Sequence, residues 1–350
     1  MRKHFAVIDS GPDEITAVAA RWANNGDYLV EGFCRGGSRG LSRGIIEDVA
    51  AATDSISGVL NSLKERSKKN FSDVYAGISS PSIDITSSSG VVLLSRYGRE
   101  INENDIKKCV RIGSTIKMPL DREALHYMVE GFSVDGESSI KNPLNLEGVK
   151  LSAMMNIVTI SAAASRNLAK CITMAGFVPA GFIFSGLASS YRILEEDDRR
   201  KGSLLVDVAP DMTEALIFKG GILTGCRVFS VGLDRLLSKN EGVEEEQVRG
   251  LVSKITLLPG WDKVRRIVMT GRGTMNDSLI ERFEGYFGSH VEVGTCIAKP
   301  FEELPPERMR YLGNIGMLDY LREKRQQERL SGNLIKRGLN RVFAFVDRYF

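Results

Sequence analysis

The sequence predicts an α/β protein built from two similar halves, with a smaller α+β segment inserted after the first strands. Three observations carry this. The order strand hairpin, helix, strand occurs twice, once near each end of the chain. The texture changes at Pro81 and returns to strand and helix near Ile160. The chain has 350 residues, 43% hydrophobic and 26% charged, enough for two domains with sizeable cores.

In chain order, His4–Ile8, Ile15–Arg21 and Tyr28–Cys34 read as three short strands, with Asn25–Gly26 as a hairpin signal. A helix is expected from Ile45 to Lys68, because Ile45, Val49, Ala52, Ile56, Val59, Leu60 and Leu63 fall near one face. Asp73–Ser79 is the next strand. In the insertion, "IDITSSSGVVLLS" (Ile83–Ser95) looks like a hairpin, and Asn102–Met118 like a helix. His126–Val134 reads as a strand, Asp135–Gly148 as a Gly/Asn/Pro loop, and Val149–Ser161 as a long strand.

From Ser165 the pattern is helix, a strand at Gly181–Phe184, and a helix from Leu187. A hairpin follows, Leu204–Val208 and Ala215–Phe218, turning at Ala209–Pro210–Asp211. Leu223–Phe229 is a third strand and Val243–Ile255 an acidic helix. Arg266–Thr270 is a strand, then come "GRGTMND", a helix, and a strand at Val291–Val293.

The bulk numbers exclude several classes. A net charge of +3 is too small to argue for nucleic acid as a partner. The five cysteines (Cys34, Cys109, Cys171, Cys226, Cys296) include no CxxC pair and read as buried free thiols. The start, "MRKHFAVIDSG", lacks a signal-peptide pattern, and no run of ~18 apolar residues exists to span a membrane. His4, His126 and His290 are isolated, Glu195–Arg200 reads as a solvated helix end, and no Walker-type loop is present.

Three places resemble pieces of a phosphate site, although strand-end aspartates and Gly-x-Gly also occur in ordinary turns. The first is Asp9, Ser10 and Gly11 at a strand end. The second is the hairpin with Asp207, Asp211 and Thr213, and the third is Gly271, Arg272 and Gly273 before a helix. Bare backbone N–H groups at such turns can hold anions. No residue is assigned as a metal ligand.

The tail carries a strong periodic signal. At about 100° per residue, Leu334, Ile335, Leu339, Val342, Phe343, Phe345, Val346, Tyr349 and Phe350 fall on one half of a helix. Lys336, Arg337, Arg341 and Arg348 fall on the other half. An apolar, aromatic face opposite a basic one suits the surface of an anionic bilayer. The competing reading is a helix docked on protein. Its place at the end of a charged tether favours the membrane.

Several stretches together resemble the FtsA family of actin-like bacterial division proteins. They are "SRGLSRGIIEDV" (Ser38–Val49), "SIKNPLNLEGVKLSA" (Ser139–Ala153), "AAASRNLAKCITMAGF" (Ala162–Phe177), "FSGLASSYRILEEDDRRKGSLLVDV" (Phe184–Val208) and the tail. The resemblance implies an actin-like fold of the ribonuclease H-like, ASKHA type. One actin-like half would take 1–80, with 161–200 and 306–322 returning to it. An FtsA-specific subdomain would take 81–160, and the second half 201–305. A linker at 323–333 would lead to a membrane helix at 334–350. The resemblance also implies filaments on the cytoplasmic face of the inner membrane at the division site. Their partners would be a tubulin-like FtsZ ring, other division proteins and further copies of the chain.

The sequence departs from that family at the nucleotide. The family's Asp-x-Gly-Gly-Gly-Thr stands here as Asp207-Val208-Ala209-Pro210-Asp211-Met212. Proline removes a donor, and Asp211 adds a negative charge. Two like charges about 4 Å apart repel by roughly 4 kcal/mol at an effective dielectric near 20. The family's Asp-x-Gly-Thr stands as Asp9-Ser10-Gly11-Pro12, and a Gly-Gly pair as Gly271–Arg272. The subdomain that forms one wall of the family's nucleotide cleft and docks FtsZ is reduced to about 232–263. The expectation is therefore a scaffold with no cofactor and at most weak ATPase activity. The alternatives are a working ATPase using ATP with Mg²⁺, or an actin-like assembly protein of a pilus or secretion system.

Overall fold

A computed structural model describes residues 4–24, 26–115, 118–237, 241–294 and 310–330. The chain divides into two compact units, Met1–Asp84 with Ile160–Tyr320, and Ile85–Thr159 with Leu321–Phe350. The larger unit opens with an antiparallel meander of β1 (His4–Ser10), β2 (Glu14–Trp22) and β3 (Tyr28–Gly37). In β1 the run Phe5–Ile8 is buried throughout, as a central strand covered on both faces requires.

A two-residue hairpin follows, β4 (Leu41–Ser42) and β5 (Ile45–Ile46), turning through Arg43 and Gly44 at positive φ. This corrects the expected helix start at Ile45. The helix α1 begins at Val49, where the Asp48 side chain caps the amides of Ala50 and Ala51, and ends at Ser67. Its buried stripe (Ala52, Ile56, Val59, Leu60, Leu63) packs on β2 and β3. β6 (Asp73–Ile78) then pairs parallel with β1.

Most of the smaller unit is the inserted segment. The elements of that segment are β7 (Asp84–Leu93), β8 (Arg99–Glu100), α2 (Glu103–Ser114), β9 (Arg122–Val134), β10 (Glu137–Ile140), β11 (Glu147–Gly148) and β12 (Lys150–Ser161). They form a sheet in the order β10-β9-β12-β7, with β8 paired to β11. Val92, Ile106, Val110, Leu151 and Met155 make a core between sheet and helix. Asn102 and Asp105 form a capping box at the start of α2, and both terminal nitrogens of Arg99 bond Asp105 at 2.7 Å.

Three expectations are corrected here. Ile83–Ser95 is no hairpin: β7 runs straight through Gly90, where a Cβ would meet the Cys109 carbonyl of α2 at 1.9 Å. Asp135–Gly148 is not all loop, because Asp135 and Gly136 turn at positive φ to make the β9–β10 hairpin. The helix expected to Met118 stops at Ser114, where the Thr115 amide and hydroxyl turn back to the Arg111 carbonyl.

The chain returns through α3 (Ala162–Met174), β13 (Val178–Phe184), α4 (Ser185–Ile193) and α5 (Glu196–Lys201). β13 pairs parallel with β6, completing the order β13-β6-β1-β2-β3. A second meander follows, β14 (Ser203–Val208), β15 (Thr213–Lys219) and β16 (Ile222–Phe229). Next come α6 (Leu233–Leu236) and α7 (Glu241–Ile255), then β17 (Arg266–Gly271), α8 (Asp277–Phe287) and β18 (Val291–Val293). The second sheet runs β16-β15-β14-β17-β18, with β17 parallel to β14 and β18 parallel to β17. Each sheet is thus an antiparallel meander followed by two parallel strands, the same arrangement used twice.

The last described element is α9 (Leu312–Leu330). Asn314 ties it to the first sheet, donating to the Val7 and Thr16 carbonyls and accepting from the Thr16 hydroxyl at 2.7 Å. Residues 323–330, expected as linker, continue this helix. The expected membrane helix at 334–350 lies outside the described residues. Among the described residues no helix is long and apolar enough to cross a membrane.

Candidate functional site

The two meanders place two aspartates alike. Asp9 lies near the end of β1 and pairs with Thr16 of β2; Asp207, near the end of β14, pairs with Glu214 of β15. Side chains directly opposite in an antiparallel ladder share a face. Asp207 and Glu214 are therefore two carboxyls side by side.

Protein atoms close tightly around all three acids. Ser185, the first residue of α4, donates to Asp9 Oδ1 at 3.0 Å. A Cβ on Gly77 of β6 would lie 2.5 Å from Asp9 Oδ1, and one on Gly313 of α9 2.3 Å from Oδ2. Gly271, at φ +81°, abuts Asp207, and Gly186 of α4 abuts Glu214 Oε2, where a Cβ would come within 2.2 Å. Glu214 is only 6% exposed, and Asp9 and Asp207 are partly buried.

This environment favours the neutral acids. Burial raises Asp9 above the ordinary carboxyl range. Burial, and then the Asp9 charge, pushes Asp207 up to about 6. Burial, and then the Asp207 charge, pushes Glu214 up to about 8. Sequence reading did not single out Glu214. Its signal is the hairpin register, since a tight turn after Asp207 brings Glu214 directly opposite.

The surrounding loops spend their polar groups on each other. The Ala209 amide donates to the Met212 carbonyl at 3.0 Å, inside the turn. The Ala209 and Pro210 carbonyls accept from Leu233 and Asp234 at the start of α6. The Thr213 hydroxyl donates to the Val231 carbonyl at 2.7 Å. Asp211 accepts from the Arg43 amide of the β4–β5 turn at 2.9 Å. In the first turn the Gly11 amide donates back to the Glu14 carbonyl, and the Ser10 hydroxyl is buried with no partner among the described residues. Arg272 reaches across to Asp13 at 3.2 Å. Gly273 packs against the side chains of Val208 and Met269. Of the nine predicted positions, Asp9, Asp207 and Gly271 thus meet at the cluster, Asp211 and Arg272 bridge the two halves, and Thr213 and Gly273 face their own half.

The histidines hold other posts. His4 contacts Glu31 at 3.0 Å, and His290 contacts Glu284. His126 is buried in β9, pushed down to about 3 by burial and then by the Lys324 charge. Among the described residues no group of three or more His, Cys, Asp or Glu is placed to hold a metal ion.

Residues 81–159, essentially the inserted unit, match the family model described as the SHS2 domain inserted in FtsA. The FtsA cell division protein of Borreliella burgdorferi is 32% identical over 229 residues, 65% of this chain and 55% of that protein. Together these matches support a member of the FtsA family.

The FtsA of Pseudomonas aeruginosa is 27% identical over 234 residues, 67% of this chain and 56% of that one. The Escherichia coli K12 protein is 25% identical over 227 residues, 65% and 54% of the two chains. The chain spans about half the length of the curated relatives it matches. Among solved structures, the PilM-PilN type IV pilus biogenesis complex aligns with a TM-score of 0.58 at 14% identity, covering 93% of this chain and 99% of that one. MreB 5 of Spiroplasma citri bound to AMPPNP aligns at 0.50 and 10% identity, covering 95% and 99%. At these identities the likeness concerns the fold alone, and that fold is actin-like.

Proposed function

We propose that this FtsA-family protein is a membrane-associated scaffold of bacterial cell division that works with weak or absent ATP binding. It self-associates and links FtsZ and other division proteins to the cytoplasmic face of the inner membrane. The family membership supports the division role. The amphipathic sequence pattern of 334–350 supports the membrane anchor, and several weak anchors on one assembly add through effective concentration.

The observation that carries the nucleotide part of this reading is the inward bonding of the second hairpin. A triphosphate needs free amides at that turn. Pro210 has none, the Ala209 amide is bonded within the turn, and Asp211 brings a carboxylate. These residues do not suit a phosphate chain.

Co-sedimentation with anionic liposomes tests the anchor. The full chain is expected to pellet and a chain lacking 331–350 to stay in solution; equal pelleting would refute the anchor. Calorimetry with ATP and Mg²⁺ tests the nucleotide. A second reading, an ATPase with unusual phosphate loops, draws on the retained pair Asp9 and Asp207. Micromolar ATP binding that disappears in Asp9→Ala would overturn the first reading in its favour.

A further inference from the structure

Asp9 comes from the first half of the larger unit, and Asp207 and Glu214 from the second. The cover over Glu214 is Gly186 of α4, which follows directly on β13 of the first sheet. The three acids therefore come to one place where the two halves meet: Asp9 and Glu214 lie against Ser185 and Gly186, neighbouring residues of α4, and Asp207 stands opposite Glu214. We infer that closing these halves takes up a proton at the Asp9–Asp207–Glu214 cluster, so that the closed arrangement is favoured at low pH and loosens as pH rises.

Among the described residues the surroundings supply no compensating charge. β6 presents Gly77, the residue after β6 is Ser79, α4 presents Ser185 and Gly186, β17 ends in Gly271, and α9 presents Gly313. From β16, the Cys226 thiol feels the charges of Asp84 and Glu214; burial first, and then those charges, hold it neutral. The groups left to titrate against one another are the three acids, from β1, β14 and β15. The start of α4 has no side-chain cap of its own, and it meets Asp9 through Ser185 and Glu214 through Gly186. Helix N-termini attract negative charge. One ionised acid is thereby tolerated at this place, while a second and third repel it.

The direction of the effect follows from linkage. Glu214 is raised to about 8 in the closed arrangement. Once the halves part and water reaches it, it returns toward the ordinary glutamate value near 4.3. Closed and open forms differ in bound protons between those limits. Within that window the closing equilibrium weakens with rising pH, by up to tenfold per pH unit for one proton. Closure is favoured most at the acidic end.

This inference rests on the cleft working without nucleotide, as proposed above. Amide hydrogen exchange on the full chain from pH 5 to pH 8 tests it, read as protection factors so that the intrinsic pH dependence divides out. Protection of Gly186–Ser190 and of β14 and β15 is expected to fall as pH rises, while amides of the inserted unit hold theirs. In Glu214→Gln the fall is expected to vanish; Asp207→Asn, with a weaker version of the same effect, serves if that variant does not fold. A wild-type response flat across this range, or an undiminished fall in the variants, overturns the inference. Adding ATP and Mg²⁺ in a parallel arm separates the two failures: protection that rises with nucleotide refutes the nucleotide-free reading, and a flat pH response without it refutes the switch alone.

Discussion

Asp207 and Glu214 stand directly opposite each other in the β14–β15 ladder, two carboxyls in register with Glu214 buried. Like charges in that position destabilise a sheet. The β14–β15 ladder holds the pair in place, and burial favours the neutral acids, so the cost of the pair is expected to depend on pH.

Glu214→Gln is expected to stabilise the protein at pH 8 and to change little at pH 5. Glu214 is raised in the folded chain, so its contribution is intact below the ordinary carboxyl range and is lost as pH rises toward about 8. A tenfold difference in acidity between folded and unfolded chain corresponds to about 1.4 kcal/mol. Urea unfolding at the two pH values measures the difference, and a variant less stable than wild type at pH 8 would contradict this account of the pair.

Returning the second hairpin to glycine is expected to raise ATP affinity. The triple change Ala209→Gly, Pro210→Gly, Asp211→Gly restores a donor and removes a charge. A gain of at least about tenfold, worth about 1.4 kcal/mol, is expected by calorimetry with Mg²⁺. Unchanged binding would mean that α6, bonded to the turn's carbonyls, blocks the site by itself.

Gly313→Ala is expected to lower stability. Its Cβ would fall 2.3 Å from Asp9 Oδ2, and overpacking of this kind costs about 1–3 kcal/mol. A melting temperature lower by several degrees is the readout. Gly285, with nothing near its Cβ, is the control site for the same change.

Asp319→Asn is expected to be the most damaging of these changes. Asp319 pairs with Arg192 and accepts from the Tyr28 hydroxyl at 2.9 Å, and both Arg192 and Asp319 are nearly inaccessible. Removing one partner of a buried ion pair costs about 3–5 kcal/mol. Tyr28→Phe removes one hydrogen bond to the same group and should cost about 1 kcal/mol. Equal effects of the two variants in chemical denaturation would mean that the ion pair contributes no more than the tyrosine hydrogen bond.

Much of this architecture was legible in the sequence where burial sets the pattern. The runs Phe5–Ile8 and Leu204–Val208 announce central strands by composition alone. Elements governed by backbone contact were harder to read. Gly90 suggests a turn, yet it is a straight strand residue kept small by the nearby Cys109 carbonyl. Ile45 matches the helical stripe of α1 but belongs to a two-residue hairpin, because Arg43 and Gly44 turn the chain before the helix can start. At the candidate site the strand-end acids were visible, whereas Glu214 was not, since its meaning depends on which residue lies across the ladder. The bridges from Arg43 to Asp211 and from Arg272 to Asp13 join residues 168 and 259 positions apart, beyond the reach of local pattern.

The repeated sheet gives the molecule an internal reference. Thr16 occupies in the first meander the place that Glu214 occupies in the second, opposite the strand-end aspartate. Thr16 is neutral and is satisfied by Asn314 of α9. The chain thus contains one copy of a structural unit with a single acid and a second copy with two acids face to face. The first hairpin is a ready template for redesigning the second, since the two frames differ at this place by the exchange of Thr16 for Glu214.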